Sequence, residues 1–220
     1  AAAFGPENVF DFSLGSPNVD LPDFVVESLQ ANCETSDWKL HTYSQLDGHL
    51  PVRDKIASVL SERYGNDVSA DNIVMTFGAS GALSITFNAL LASAKDEVIV
   101  LAPYFPEYKI WIEYAGGSCI EAMTNEDDFS LNISNIAEKI NENTRAIIVN
   151  SPNNPSGVVY SEKCLNELAQ LLQDKQKEYG NSIYLIADEP YRELVYGVEV
   201  PHIPRLYRNT IVCYSLSKTF

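Results

Sequence analysis

Basic residues are scarce in this chain. It has 15 Lys and Arg against 30 Asp and Glu, which gives a formal net charge of −15. Nucleic-acid binding depends on clustered Lys and Arg that neutralise phosphates. The shortage argues against a nucleic acid as partner, and we interpret the acidity as a contribution to solubility.

Long hydrophobic runs are also lacking. No apolar stretch approaches the roughly 20 residues that a membrane span needs. The first ten residues, AAAFGPENVF, lack the basic and apolar regions of a signal peptide. We therefore expect no membrane association and a cytoplasmic location. The four cysteines form no C-x-x-C pair, so the sequence predicts neither a metal site nor a disulfide framework.

Short apolar runs alternate with amphipathic segments from about residue 70 onward. The runs predicted as strands are 72–77, 97–102, 118–123, 145–150, 182–187 and 210–215. The segments between them have apolar residues at helical spacing. This alternation predicts an α/β fold with a mostly parallel, doubly wound sheet. Residues 46–220 are predicted to form this large domain, and residues 1–45 an arm and part of a smaller domain.

Two of the predicted strands are followed by loops that could bind a ligand. Ligands of open parallel sheets bind outside the carboxyl ends of the strands. GASGAL follows the first strand and opens a helix, whose backbone N–H groups and Ser80 hydroxyl could bind an anion. SPNNPSG follows the fourth strand and could fix the side chain of Asn153 or Asn154. Considered alone, each also fits a helix cap or a turn.

The last two strands are followed by ionisable residues. Asp188 and Tyr191 lie in DEPY, and Lys218 lies in SLSK, after Ser215. A carboxylate at a strand end is costly unless it meets a cation, and a desolvated lysine amine is a nucleophile. The simpler alternatives are an N-capping Asp and a lysine reaching solvent at the sheet edge. Together, however, these groups match pyridoxal phosphate, which carries a phosphate, a pyridine nitrogen and an aldehyde.

The motifs NNPSG, ADEPY and SLSK, in that order and about 30 residues apart, identify a resemblance. The chain resembles the fold-type I pyridoxal-phosphate enzymes, specifically the class I/II aminotransferases of the aspartate aminotransferase superfamily. The resemblance extends from SLGSPN to SLSK. It implies an enzyme that transfers an amino group between an amino acid and a 2-oxo acid, and that binds its cofactor as a Schiff base on a lysine.

The resemblance also implies roles for residues of this chain. Lys218 would form the Schiff base and move the proton, Asp188 would pair with the pyridine nitrogen, and Tyr191 and Asn154 would hydrogen-bond the ring oxygen. Asn154 would also border the substrate. The remaining cofactor contacts implied are the phosphate ligands Ala79, Ser80 and Ser215 and the ring-stacking Phe105, beside Tyr104.

Family features in the first third of the chain concern the substrate and a second subunit. Gly15 of LGSPN matches a loop against the substrate carboxylate. Tyr43 matches a tyrosine that reaches the phosphate of the neighbouring subunit, so the resemblance implies a homodimer with shared active sites. Gly48, Leu50 and Arg53 match a structural part of the same motif, and we expect no chemistry from them.

The chain stops two residues after the lysine, whereas the family continues for more than a hundred. We therefore expect it to be the front part of a longer enzyme, without the C-terminal part of the fold or the arginine that binds the substrate carboxylate, and not an efficient transaminase alone.

Three alternatives remain open at the level of the sequence. A β-lyase that cleaves carbon–sulfur bonds could use the same residues. A regulator related to aminotransferases could keep the cofactor pocket without catalysis, although such proteins carry a basic DNA-binding domain. A purely structural α/β domain would require every loop described above to be only a turn or a cap.

Overall fold

The structure, a computed structural model, describes residues 5, 8–9, 20–65 and 67–219, apart from the side chain of Lys39. The chain divides after Thr42 into two compact units. The described part of the first unit contains helix α1 (Asp23–Glu34) and a 3-10 turn (Trp38–His41). Whether residues 1–45 form an arm and part of a smaller domain stays a prediction.

The second unit is built on five parallel strands in the order β2-β1-β3-β4-β5. The strands are β1 (Glu97–Ala102), β2 (Ser118–Met123), β3 (Thr144–Asn150), β4 (Tyr184–Asp188) and β5 (Thr210–Cys213). The helices are α2 (Leu50–Tyr64), α3 (Gly78–Leu90), α4 (Glu107–Tyr114), α5 (Ile133–Lys139) and α6 (Glu162–Tyr179), with 3-10 turns at Ala70–Asn72 and Ile203–Arg205.

Alternate strand residues point to two separate cores, as the period of two in a strand requires. In β3, Ile147 and Val149 belong to a core formed with α5 and α6, whereas Ala146 and Ile148 belong to a core formed with α3 and α4. Helices therefore cover both faces of the sheet. This confirms the predicted α/β fold with a mostly parallel, doubly wound sheet.

Helix α6 shows how local sequence sets an element's bounds. The Ser161 hydroxyl accepts a hydrogen bond from the Cys164 N–H (3.3 Å) and satisfies one of the free donors of the first turn. The helix ends at Gly180, whose φ of +71° is readily adopted only by glycine. Leu165, Leu168 and Leu172 form its buried face.

The strand predicted over residues 72–77 is wrong. The segment is extended after Asn72, but it joins no ladder of the described residues. The backbone N–H of Met75 donates instead to the carbonyl of Asp47 (3.0 Å). Val74 and Phe77 are exposed, at 58% and 101%. A β-type residue pattern gives a strand only where a neighbouring strand supplies the hydrogen bonds.

The loop before α2 is fixed by a buried arginine. Arg53 donates to the carbonyls of Ala70 (2.8 Å) and Gly48 (3.2 Å) and forms an ion pair with Asp47 (2.8 Å). Gly48 has a φ of +98°, and a Cβ there would collide with the Met75 side chain. These contacts explain the glycine and the arginine of the motif without any chemistry.

Among the helices of the described residues, none combines the length and the apolar character that crossing a bilayer requires.

Candidate active site

The five parallel strands end at one edge of the sheet, and the ends of β3, β4 and β5 are aligned. The strand pairing places Asn150 opposite Asp188, and Asp188 opposite Cys213. The sheet order reverses direction beside β1, whose neighbours are β2 and β3. Ligands bind at such an edge in open α/β sheets. The predicted site residues follow strands β1, β3, β4 and β5, or open helix α3.

Helix α3 begins near the end of β5 and makes a candidate anion site there. A Cβ built on Gly78 would lie 3.5 Å from the Ser215 Oγ and 3.8 Å from the Ser217 Oγ. The first turn of α3 has no side-chain cap, and Ser80 is exposed in it. The interpretation of Ser80 as the helix cap is therefore wrong. The structure brings the N-terminal turn with Ala79 and Ser80 close to the hydroxyls that follow β5.

The hydroxyls after β5 are held by each other. Ser215 is buried, and its hydroxyl donates to the Ser217 Oγ (2.7 Å) and accepts from the Ser217 N–H (3.1 Å). A helix N-terminus with adjacent hydroxyl groups favours an anion, because both supply hydrogen-bond donors and the helix dipole is positive there.

Asn154 and Tyr191 meet at the same edge. The Asn154 amide donates to the Tyr191 hydroxyl at 3.4 Å. The Asn154 N–H donates to the Asn150 Oδ1 (2.6 Å), and the Asn150 Nδ2 donates to the Asp188 carbonyl (2.8 Å). One buried side chain therefore links the loop after β3 to the end of β4. Burial raises the pKa of Tyr191, while the Asn154 hydrogen bond lowers it.

Asp188 is a buried carboxylate that forms no ion pair with the described residues. Its Oδ2 accepts a hydrogen bond from the Tyr108 hydroxyl, and its Oδ1 is buried without a partner. Burial raises the pKa of Asp188 to about 6, although the Tyr108 hydrogen bond lowers it. The Asp188 side chain caps no described helix, so the capping interpretation is wrong.

The next residue shows what a satisfied carboxylate looks like here. Glu189 is also buried, but both its oxygens accept hydrogen bonds from Arg192, at 2.6 and 2.7 Å. Arg192 also donates to the carbonyls of Val200 and Pro201. Buried charges are normally paired in this way. Asp188 departs from this rule, because its Oδ1 is buried and receives no hydrogen bond from the described residues.

Lys218 lies in a turn just after Ser217 and is half-buried. Its amine has no hydrogen bond or ion pair with any residue that the structure describes. Phe105 is half-buried and contacts the edge of the Tyr108 ring, with centroids 5.7 Å apart. Tyr43 is fully exposed. Gly15 lies outside the described residues.

Two residues of the site were not predicted from the sequence. Tyr108 follows the helical spacing of α4 and looks like an ordinary core aromatic. Asn150 is the last residue of β3 and directly precedes the SPNNPSG loop. A signal exists for Asn150, because an amide ending an otherwise apolar strand is unusual. For Tyr108 no local signal distinguishes its hydroxyl from that of Tyr160, another buried tyrosine.

The residues present fit pyridoxal phosphate. The α3 N-terminus and Ser215 suit a phosphate, and the free Asp188 Oδ1 suits a protonated pyridine nitrogen. Asn154 and Tyr191 suit a ring oxygen, and the Lys218 amine suits an aldehyde. Among the described residues, no group of three or more His, Cys, Asp and Glu could hold a metal ion.

Comparisons with known proteins identify the family. The family model described as "Aminotransferase class I and II" matches residues 7–220. A probable aspartate/prephenate aminotransferase of Aquifex aeolicus is 33% identical over 86% of this chain and 46% of its own length.

Solved structures are similar over nearly the whole chain. An amino transferase from Eubacterium rectale is 45% identical, with a TM-score of 0.95, over 99% of this chain and 55% of its own. An aromatic aminotransferase from Pyrococcus horikoshii is 28% identical, with a TM-score of 0.86, over 100% of this chain and 57% of its own.

The chain spans about half the length of the curated relatives it matches. The family model nevertheless covers nearly all of the chain, and the family is one of pyridoxal-phosphate-dependent enzymes. The chain belongs to the class I and II aminotransferases.

Proposed function

We propose that the protein is a pyridoxal-phosphate-dependent aminotransferase that moves an amino group between an amino acid and a 2-oxo acid. The observation that carries the proposal is Asp188, a buried carboxylate with one free oxygen. It ends β4, which pairs with β5, and Lys218 follows β5 in the chain. A cationic ligand that reaches the free oxygen would compensate its burial. A pyridinium nitrogen is such a ligand.

In this proposal each group has one task. Ala79, Ser80 and Ser215 bind the phosphate, Asn154 and Tyr191 orient the ring, and Phe105 packs against its face. When bound, the cofactor supplies an aldehyde that captures amino groups and a ring that accepts the electron pair left by a departing proton. Lys218 would hold the cofactor covalently through its Nζ. Once the amino group of the substrate has displaced it, the freed Nζ amine would take the proton from the substrate Cα and return it as an acid.

Substitution of Lys218 tests the proposal. We expect Lys218→Ala in the full-length protein to lose both the visible absorbance of bound cofactor and amino transfer. Lys177→Ala is the matched control, because this exposed lysine lies on α6 and, among the described residues, forms an ion pair with Asp174 alone. Visible absorbance that survives in Lys218→Ala as in the control would contradict the proposal.

An activity assay separates amino transfer from elimination. We expect amino-group transfer to require a 2-oxo acid. Release of pyruvate and ammonia from a cysteine conjugate without a 2-oxo acid would identify a β-lyase instead. The names of the relatives include both aspartate and aromatic aminotransferases. The assay should therefore compare acidic and aromatic amino acids as amino donors.

A homodimer is also proposed, on the family resemblance of Tyr43 and on the full exposure of its side chain. An exposed tyrosine is available to a second subunit. Sedimentation of the full-length protein tests the dimer. The role of Gly15 at the substrate carboxylate and the cytoplasmic location stay predictions.

A further inference from the structure

The two oxygens of Asp188 have different environments. Oδ2 accepts the hydrogen bond from Tyr108, and Oδ1 has no partner, although both belong to one buried side chain. A carboxylate with two free oxygens can rotate about its Cβ–Cγ bond and present either of them. The single hydrogen bond removes this symmetry, so that Oδ1 is the oxygen left for a ligand.

Tyr108 is well placed to hold the carboxylate because it is itself held. It is 2% exposed and lies in the first turns of α4, within the core that also contains Cys213 of β5. Phe105 contacts it edge-on at 5.7 Å and Trp111 at 6.4 Å, measured between ring centroids. Burial and the Asp188 charge raise the pKa of Tyr108 well above its usual value, so its hydroxyl stays a donor.

No other described side chain performs this task. The titratable groups that face Asp188 are Tyr108 from α4, Glu189 and Tyr191 from its own segment, and Cys213 from β5. Glu189 is committed to Arg192 and repels a second negative charge. Among the groups that the structure describes, the Tyr108 hydrogen bond alone favours the charged form of Asp188.

We propose that Tyr108 is a positioning residue: its hydroxyl fixes the Asp188 carboxylate with Oδ1 free and keeps it charged for the pyridine nitrogen of the cofactor. This inference rests on the proposed function. Without the hydroxyl, the carboxylate loses a charge-assisted hydrogen bond and its fixed orientation. The cofactor should then bind more weakly, and its ring nitrogen should hold a proton less firmly.

The test compares two tyrosines that differ in position. Tyr108→Phe deletes the hydroxyl that reaches Asp188. Tyr207→Phe deletes an equally buried hydroxyl, which donates to the Ile183 carbonyl (2.7 Å) and has no part in the site. Both variants are made in the full-length protein, and the melting temperature of each apoprotein reports the structural cost of losing a buried hydrogen bond.

Two further readouts address the site itself. We expect Tyr108→Phe to weaken pyridoxal phosphate binding by about 10-fold or more, the scale of one hydrogen bond to a charged group. The pH at which the cofactor's visible absorbance changes should also rise. A less protonated pyridine ring withdraws fewer electrons, so the Schiff-base nitrogen that joins Lys218 to the cofactor becomes more basic. Replacement of Tyr108 by p-aminophenylalanine restores a donor in the same place and should recover part of both effects.

The controls make each result decisive. A Tyr108→Phe protein that matches Tyr207→Phe in cofactor affinity and in the pH profile, and that differs only in melting temperature, would overturn the inference and leave the proposed function intact. Failure of the unmodified protein to bind the cofactor through Lys218 would overturn both.

Discussion

Asp188 is the residue at which stability and function conflict most directly. A buried carboxylate costs free energy when it is charged, and the charged form is the one that a cofactor with a pyridinium needs. Asp96 is buried to a similar degree, but it accepts hydrogen bonds from the N–H groups of Ala92 and Ser93 and pairs with Arg145. One carboxylate is fully satisfied by the fold, and the other has an oxygen left over.

Replacement by asparagine should change the free energy of unfolding in opposite directions at Asp188 and Asp96. Burial raises the pKa of Asp188 to about 6, from 3.8. The folded apoprotein therefore binds a proton more tightly than the unfolded chain, and this residue adds stability as the pH falls from about 6 to about 4. We expect Asp188→Asn to stabilise the apoprotein at pH 7 by roughly 1–3 kcal/mol. The variant should lack the gain in stability that Asp188 contributes as the pH falls from about 6 to about 4. It should also bind the cofactor more weakly.

Denaturant unfolding of the apoprotein at pH 7 and pH 5 measures the effect. Asp96→Asn is the control: burial would raise the pKa of Asp96, but its hydrogen bonds and Arg145 lower it overall. Its charged form is favoured by folding, so this variant should lose stability at pH 7. Equal losses in both variants would refute the interpretation of Asp188.

At the scale of elements, Asn150 joins two loops that the chain order keeps 34 residues or more apart. Its oxygen accepts from the Asn154 N–H and its amide donates to the Asp188 carbonyl, at 2.6 and 2.8 Å. Strands β3 and β4 already pair at this level. Beyond the last paired residues, the Asn150 side chain supplies two further hydrogen bonds between the segments that follow β3 and β4. These bonds set the position of the Asn154 loop relative to Asp188.

Removal of the Asn150 side chain should therefore disturb both loops. We expect Asn150→Ala to destabilise the protein by about 2–4 kcal/mol, because a buried N–H and a buried carbonyl lose their partners. It should also weaken cofactor binding. Asn132→Ala removes the cap of α5, where the Asn132 Oδ1 accepts from the Asn135 N–H and from the exposed Ser134 hydroxyl, and should cost about 1 kcal/mol. Thermal unfolding and cofactor titration of both variants test this, and equal effects on the cofactor would argue against the link.

The elements also show how far the sequence could predict this protein. The parallel sheet and the helices on both faces follow from apolar periodicity, which depends on local residue pattern alone. The segment 72–77 has the same pattern, but its ladder depends on a neighbour that no local pattern can specify. Tyr108 was missed for a related reason, since its hydroxyl matters only because α4 packs it against the end of β4, 80 residues later in the chain.

The site residues predicted from motifs were found in loops because their residue types are unusual after an apolar strand. Asp188 and Lys218 are charged where the pattern is apolar, and this contrast is visible in the sequence. The spacing between them and the orientation of the free oxygen are set by the sheet, so only the structure could supply them.

At the scale of the whole molecule, β5 is one of the two edge strands of the described sheet. Val212, in the middle of this strand, is 39% exposed, and Leu216 just beyond it is 56% exposed. An apolar edge strand offers unpaired backbone groups to another chain. The net charge of −15 opposes association in general, but it is not placed on this strand.

The 220-residue chain expressed by itself should therefore self-associate through this edge. We expect Val212→Lys to reduce the associated fraction, because a charged side chain on an edge strand disfavours pairing with another strand. Val198→Lys is the control, since Val198 is exposed at 53% in the loop between β4 and β5 and is not part of the edge strand itself. Sedimentation velocity measures the associated fraction, and equal sedimentation of the two variants would contradict this use of the edge.

The aligned ends of β3, β4 and β5 have a consequence for folding. The candidate anion site brings Gly78 close to Ser215, 137 residues later. Contacts between positions so distant in the chain form only after a large loop has closed, which makes them late and costly in entropy. The pocket is thus complete only when the last strand has docked. A refolding chain would therefore bind the cofactor only at the end of folding, and the cofactor would bind fully folded molecules in preference to folding intermediates.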